Sequence, residues 1–167
     1  GPGNVGEQVA FSTVSKERLC ELGVPFDRYF FTLGTLEPRK NLGRLIEAFG
    51  KLCHDSDQTD FGLVIGGGKG WKDSSIFETV SRLGLEDRIV FLGYVPDENL
   101  PELFARSEAF ICASIDEGFG IPVLEGMLYG TPVLTSNRGA LPEVGGDAVL
   151  YFDPLNESQM AEMMGKV

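Results

Sequence analysis

Cysteine is scarce in this 167-residue chain. The three that occur, Cys20, Cys53 and Cys112, lie far apart, form no C-x-x-C pair and are odd in number. A disulfide scaffold is thereby excluded, and a reducing compartment is expected. Histidine is rarer still. The single His54 is read as a surface residue and not as a metal ligand. Basic residues are outnumbered, with 14 Lys and Arg against 25 Asp and Glu, for a net charge of −11. That balance argues against a nucleic-acid binder. It also means that a phosphate would have to be met by local donors, because the overall field repels it. Long apolar runs are missing, so neither a membrane-spanning segment nor a signal peptide is legible.

What is present suits one domain with its own core. Residues 1–28 are polar and irregular. They read as an N-terminal segment and partial linker, with one short helix at Ser15–Leu22. From residue 29 to residue 167 a regular alternation takes over. Strand-like runs are expected at Tyr29–Leu33, Phe61–Ile65, Arg88–Leu92, Ala109–Ala113, Pro132–Thr135 and Ala148–Tyr151. Helical spacing of apolar residues is expected over Asn41–Leu52, Ser74–Leu83, Asp97–Arg106, Pro122–Tyr129 and Asn156–Met164. Asn41 reads as an N-cap. Phe11, Phe26, Phe49, Phe77 and Phe104 are expected to fill the core. Continuous apolar strands alternating with helices imply a parallel sheet covered on both faces. The expected fold class is therefore α/β, a doubly wound, Rossmann-like sheet.

In the strand order 3-2-1-4-5-6, the switch point lies between strands one and four, and ligands bind at the strands' carboxyl ends there. The loop after strand one carries Glu37-Pro38-Arg39-Lys40-Asn41. The loop after strand four carries Glu117-Gly118-Phe119-Gly120, and Pro122 suits a first helical position. The two segments should face each other across one crevice. Arg39 and Lys40 sit at a helix N-terminus, where the macrodipole disfavours cations, so an anion is the expected partner. Glu117 and Glu125 bracket the glycine-rich turn and offer acceptors to hydroxyls. Phosphate donors beside hydroxyl acceptors describe a nucleotide-sugar site. The run Gly66-Gly67-Gly68-Lys69-Gly70 matches neither phosphate-loop pattern, since Leu63 and Trp71 stand where glycines are required. It reads as a tight turn that needs positive φ, or as a loop bordering the ligand. Tyr94-Val95-Pro96 either lines a base or turns the chain. Arg138 to Glu143 reads equally well as structural or functional.

These motifs resemble the C-terminal, donor-binding half of retaining glycosyltransferases with the GT-B fold. The resemblance covers about residues 29–154. It rests on Gly34-Thr35-Leu36-Glu37-Pro38-Arg39-Lys40-Asn41, on Phe91-Leu92-Gly93-Tyr94-Val95 and on Glu117 to Glu125 as the family's E-x(7)-E motif. Leu141-Pro142-Glu143-Val144 and Gly146-Asp147-Ala148 match further. The resemblance implies one half of a GT-B fold, shortened at its C-terminal end and inactive alone. It implies that Lys40, helped by Arg39, contacts the donor diphosphate, and that Glu117 contacts sugar hydroxyls. Phe119, Gly120 and Ile121 would meet sugar and phosphate through their backbone. Glu125 would bind the ribose, and Tyr94 and Val95 would lie beside the base. Thr35 departs from the arginine that many relatives carry there, so the phosphate contacts of Arg39 stay open.

The implied parent transfers a sugar from a nucleotide-sugar, with GDP-mannose mildly preferred, to a glycan or lipid acceptor. It needs no metal and no cofactor. Its acceptor site lies in an N-terminal domain missing from this chain. It is expected in the cytoplasm, where it could work at the inner face of a membrane, and it has no nucleic-acid partner. A stand-alone nucleotide-sugar binding module and a nucleotide-sugar epimerase relative are the alternatives. The E-x(7)-E spacing counts against the epimerase.

Overall fold

The computed structural model describes residues 16–34, 40–68, 74–116, 121–138 and 149–167. Six strands form one sheet: β1 Arg28–Leu33, β2 Phe61–Gly66, β3 Ile89–Gly93, β4 Ala109–Cys112, β5 Val133–Ser136 and β6 Leu150–Phe152. Every adjacent pair is parallel, and the order is β3-β2-β1-β4-β5-β6. This is the doubly wound order expected from the sequence, with β1 and β4 neighbours at its centre.

Residue alternation along the strands builds two cores. On one face Phe30, Leu63, Ile65, Ile89, Ala109, Ile111 and Leu134 point the same way. They are covered by α2 (Leu42–Asp55), α3 (Ser74–Arg82) and α6 (Glu157–Gly165). On the other face lie Tyr29, Phe31, Val64, Phe110, Cys112 and Val133. Helical residues 16–21, here α1, cover it together with α4 (Leu100–Arg106) and α5 (Ile121–Leu128). A one-residue slip of β1 would exchange the two sets, so the register is strongly specified. Each core also holds an aromatic triad in edge-on or tilted contact. Phe30, Phe49 and Phe61 form one, and Phe31, Phe104 and Phe110 the other. Each such ring pair adds about 0.5–1.5 kcal/mol beyond its buried area.

Two buried hydroxyls of β1 are tied to backbone. The Tyr29 hydroxyl donates to the Leu103 carbonyl at 2.6 Å, and Thr32 Oγ1 donates to the Ile111 carbonyl at 2.7 Å. Leu19 and Val24 are buried in the second core, which fastens α1 to the sheet.

Several local expectations change. The helix expected over Asp97–Arg106 begins as a 3-10 turn, Asp97–Asn99, and becomes α-helical only at Leu100. Pro101 stands in the first turn of that α-helix, where its missing N–H leaves no intrahelical bond unmade. Phe49 and Phe104 are fully buried and Phe26 is partly so, but Phe77 is 41% exposed. It follows the buried Ile76 on α3, about 100° further round the helix, and lies on the flank against Phe91 with ring centroids 4.8 Å apart. Phe11 lies outside the described residues. Asn41 does precede α2, but its side chain accepts no bond from the helix N-terminus.

A candidate donor site at the switch point

The carboxyl ends of β1 and β4 meet at the centre of the sheet, and the side chains that matter are built outward from there. Gly34 follows β1 directly and Gly67 follows β2. The two backbones touch so closely that a Cβ on Gly67 would lie 1.9 Å from the Gly34 carbonyl oxygen. Gly67 also has φ +126. The glycine run after β2 thus serves a positive φ and, beyond what the pattern implied, a close backbone approach. Lys69 and Gly70 lie outside the described residues. Gly34 has φ +149, and a Cβ there would lie 3.1–3.3 Å from Cδ, Cγ and Cε of Lys40. The lysine stem therefore runs across the bare backbone of Gly34. This holds Lys40 over the carboxyl end of β1, with its amine at the end of that stem.

Asn41 comes next. It has φ 60 and ψ 32, the only positive-φ residue other than glycine among those described. Asparagine tolerates this left-handed conformation better than most residues. Its side chain is buried. Nδ2 donates to the carbonyls of Ala113 at 3.0 Å and Pro154 at 2.7 Å, and Oδ1 accepts from Arg44 Nη1 at 3.0 Å. Ala113 follows β4 and Pro154 follows β6. One side chain thus ties together three loops at the sheet's carboxyl edge.

On the β4 side, α5 packs tightly on the sheet. A Cβ on Gly126 would meet Val133 Cγ2 at 2.9 Å, and Val123 is fully buried. Those two positions face the core. Glu125, one step away, lies at the helix flank and is half-buried. Glu117, Phe119 and Gly120 lie outside the described residues, as does Arg39. Ile121 is the first residue of α5. Of the expected phosphate and hydroxyl contacts, Lys40, Ile121 and Glu125 are thus the three whose positions are described. They lie on the elements that follow β1 and β4.

After β3, Tyr94 is 76% exposed, whereas Val95 is 9% exposed and packs in the second core. Tyr94 therefore has a ring face free for stacking, and Val95 can reach a ligand only through its backbone. Arg138 pairs with Asp153 at 3.5 Å, joining the ends of β5 and β6. Residues 139–143 lie outside the described residues.

A groove of 860 Å³ lies elsewhere, between the C-terminal half of α2 and α6, lined by Lys51, His54 and Glu162 among others. It sits toward the amino ends of the strands, away from the switch point, and brings no phosphate-binding turn with it. His54 is exposed in the last turn of α2, as expected of a surface histidine. Among the described residues no three His, Cys, Asp or Glu side chains gather as a metal site. None of their helices is long and apolar enough to cross a membrane.

Sequence reasoning did not single out the roles of Gly34 and Gly67 as backbone contacts or of Asn41 as a tie. The glycine directly after each strand was the available signal for the first two. For Asn41, the partners lie far away in sequence and left no local trace.

Comparisons with known proteins agree with this architecture. The family model of glycosyl transferases group 1 matches residues 24–167. The O-antigen chain mannosyltransferase B of Escherichia coli is 44% identical over 126 residues, covering 75% of this chain and 33% of that protein. The mannosylfructose-phosphate synthase of Agrobacterium fabrum is 32% identical over 141 residues, covering 80% of this chain and 31% of that protein. The chain thus spans about a third of the length of the curated relatives it matches. Among solved structures, Anabaena HepE in complex with UDP and glucose superposes with a TM-score of 0.80 at 25% identity, over 92% of this chain and 42% of that one. The C-terminal domain of a group 1 glycosyl transferase, LpcC of Francisella tularensis, superposes with a TM-score of 0.78 at 24% identity, over 91% of this chain and 80% of that one. The chain belongs to the glycosyl transferases group 1 and has the fold of their C-terminal GT-B domain.

Proposed function

We propose that this chain forms the nucleotide-sugar site of a retaining, metal-independent glycosyltransferase that moves a hexose, with mannose preferred, onto a glycan or lipid hydroxyl. The observation that carries the proposal is Lys40 at the switch point, its stem laid on Gly34 and its loop tied to the end of β4. A fixed ammonium at a helix start is a local anion site in an otherwise acidic chain. The mannosyltransferase relatives support the sugar, and the structural neighbour with bound UDP and glucose supports a nucleotide donor.

In this reading Lys40 and Arg39 neutralise the donor diphosphate, and the dipole of the following helix adds to them. Tyr94 stacks on the base, with the backbone of Val95 beside it. Glu125 accepts from the ribose hydroxyls. Glu117 accepts from the sugar hydroxyls, and the backbone at Phe119, Gly120 and Ile121 meets sugar and phosphate. An acceptor hydroxyl attacks the anomeric carbon as the bond to the diphosphate oxygen breaks. The acceptor proton passes to the departing diphosphate, and the products are the glycoside and the nucleoside diphosphate. The lysine contributes most where charge grows on that leaving group. An N-terminal domain of the same protein supplies the acceptor site, and the whole enzyme works in the cytoplasm at a membrane's inner face.

The test is calorimetric titration of the chain with GDP-mannose, UDP-glucose, GDP, UDP and the free nucleosides, for the wild type and Lys40→Ala. GDP-mannose is expected to bind best. Lys40→Ala is expected to weaken every diphosphate ligand about tenfold to hundredfold, as loss of a charge-assisted hydrogen bond implies, and to spare the nucleosides. Equal loss for nucleosides and diphosphates would refute the role of Lys40. Absence of binding by any nucleotide would refute the donor-site reading.

A further inference from the structure

We infer that Asn41 is the positioning residue of the donor-phosphate loop: through its side-chain amide it couples the loop that carries Lys40 to the loop that leads from β4 into the E-x(7)-E segment. The inference rests on the donor-site reading above and concerns a residue to which that reading gives no role.

Four observations carry it. First, Asn41 is buried, at 5% exposure, although asparagine is usually a surface residue. Second, its backbone holds φ 60 and ψ 32, which only a few residue types accept readily. Third, its amide is fully used: both N–H bonds donate to main-chain carbonyls, and the oxygen accepts from Arg44. Fourth, its two carbonyl partners belong to different crossovers, Ala113 after β4 and Pro154 after β6. Both N–H bonds thus leave the helix that Asn41 starts, while its oxygen is taken by the Arg44 side chain of α2. The Asn41 carbonyl still starts α2 by accepting from Leu45 N at 3.2 Å. One residue therefore begins the helix with its main chain and clamps the neighbouring loops with its side chain.

The consequence falls on Lys40, the residue immediately before it. The Lys40 stem is constrained on one side by Gly34. Its main chain is constrained on the other by the left-handed turn and the two carbonyls. A long lysine side chain loses rotamer freedom on binding, and an anchored base lowers how much remains to be lost. A clamp shared with Ala113 also ties the base of Lys40 to the end of β4, and so fixes the distance between them.

Two substitutions separate the side chain from the backbone. Asn41→Gly keeps the left-handed turn without strain and removes the amide. Asn41→Ala removes the amide and also strains the turn. If only the turn matters, the glycine variant binds like the wild type and the alanine variant does not. If the clamp matters, both lose affinity. We expect Asn41→Gly to bind nucleoside diphosphates roughly tenfold more weakly, the loss of about one well-made hydrogen bond at the site, while free nucleosides bind as before. A double-mutant cycle supplies a readout that a general structural role would not move. In a Lys40→Ala background the effect of Asn41→Gly should shrink to less than about twofold, because the group being positioned is gone.

The measurement is titration of wild type, Asn41→Gly, Asn41→Ala, Lys40→Ala and the Asn41→Gly/Lys40→Ala pair with GDP, UDP, guanosine and uridine, beside thermal melts of each chain. The positioning role is overturned if Asn41→Gly binds diphosphates as the wild type does. It is equally overturned if nucleoside affinity falls in step, or if the loss is unchanged in the Lys40→Ala background. A wild-type chain that binds no diphosphate overturns the donor-site reading instead, which is a separate result.

Discussion

A methyl group added at Gly34 probes how the lysine is held. The new Cβ of Gly34→Ala would stand 3.1 Å from Lys40 Cδ, 3.2 Å from Cγ and 3.3 Å from Cε. Three contacts tighter than ordinary van der Waals distance cannot all be kept, so the stem must lift by a few tenths of an ångström. The backbone responds as well, because φ is +149 in a region that residues with a Cβ rarely adopt. Strain of this type costs about 1–3 kcal/mol. For a chain of this size, each kcal/mol lowers the melting temperature by about 2–4 °C, so a fall of roughly 2–12 °C is expected. The effect on binding is separate. Lys40→Ala sets the ceiling, about tenfold to hundredfold on diphosphate affinity. A displaced but intact lysine should lose roughly threefold to tenfold, with nucleosides unaffected. The assay is a thermal melt followed by titration with GDP and guanosine. A Gly34→Ala/Lys40→Ala chain completes the argument: without a stem to push, the methyl should have no further effect on diphosphate binding. A Gly34→Ala chain that melts lower yet binds GDP as tightly as the wild type would show that the stem's seat on Gly34 does not matter for binding.

Three further variants test the proposed carboxylate roles and the core. Glu125→Gln should weaken nucleotide and nucleotide-sugar alike, roughly tenfold, because a charged acceptor bonds hydroxyls more strongly than an amide. Glu117→Gln should weaken the nucleotide-sugar and spare the free nucleotide, and parallel titrations that show the reverse pattern would refute the assignment of roles. Tyr29 gives a pH effect on stability. Burial is the main cause that raises its phenol above the ordinary value. The unfolded phenol ionises near pH 10, about the ordinary value, while the folded one stays neutral, so its contribution is complete below that pH and is lost as pH rises. Tyr29→Phe should remove that part of the alkaline fall in melting temperature. It should also cost about 1 kcal/mol at neutral pH, for the bond to the Leu103 carbonyl. Melting curves across that pH range check both.

The fold was legible because its signals repeat. Each strand is an apolar run, each helix carries apolar residues at helical spacing, and the doubly wound order follows from right-handed crossovers. The observed order put the carboxyl ends of β1 and β4 side by side. Local departures came where one residue type serves two purposes. Asparagine before a helix is usually an acceptor for that helix, but Asn41 is a donor to carbonyls 72 and 113 positions away. Only the folded chain supplies those partners. Phe77 reads as core by composition, yet sits one helical step off the buried stripe and rests against Phe91. Gly67 was legible as a turn residue, but the Gly34 backbone that forbids a side chain there was not. Pattern along the chain thus found the elements, and contacts across the sheet decided how single residues are used.

The most direct measurement of the central claim is an amide chemical-shift titration of the chain with GDP-mannose, with UDP-glucose in parallel. The account predicts shifts at the carboxyl edge of the sheet, on Gly34, Lys40, Asn41, Tyr94, Val95 and Glu125, and none in the groove between α2 and α6. Shifts centred on Lys51, His54 and Glu162, with the switch point unmoved, would contradict it.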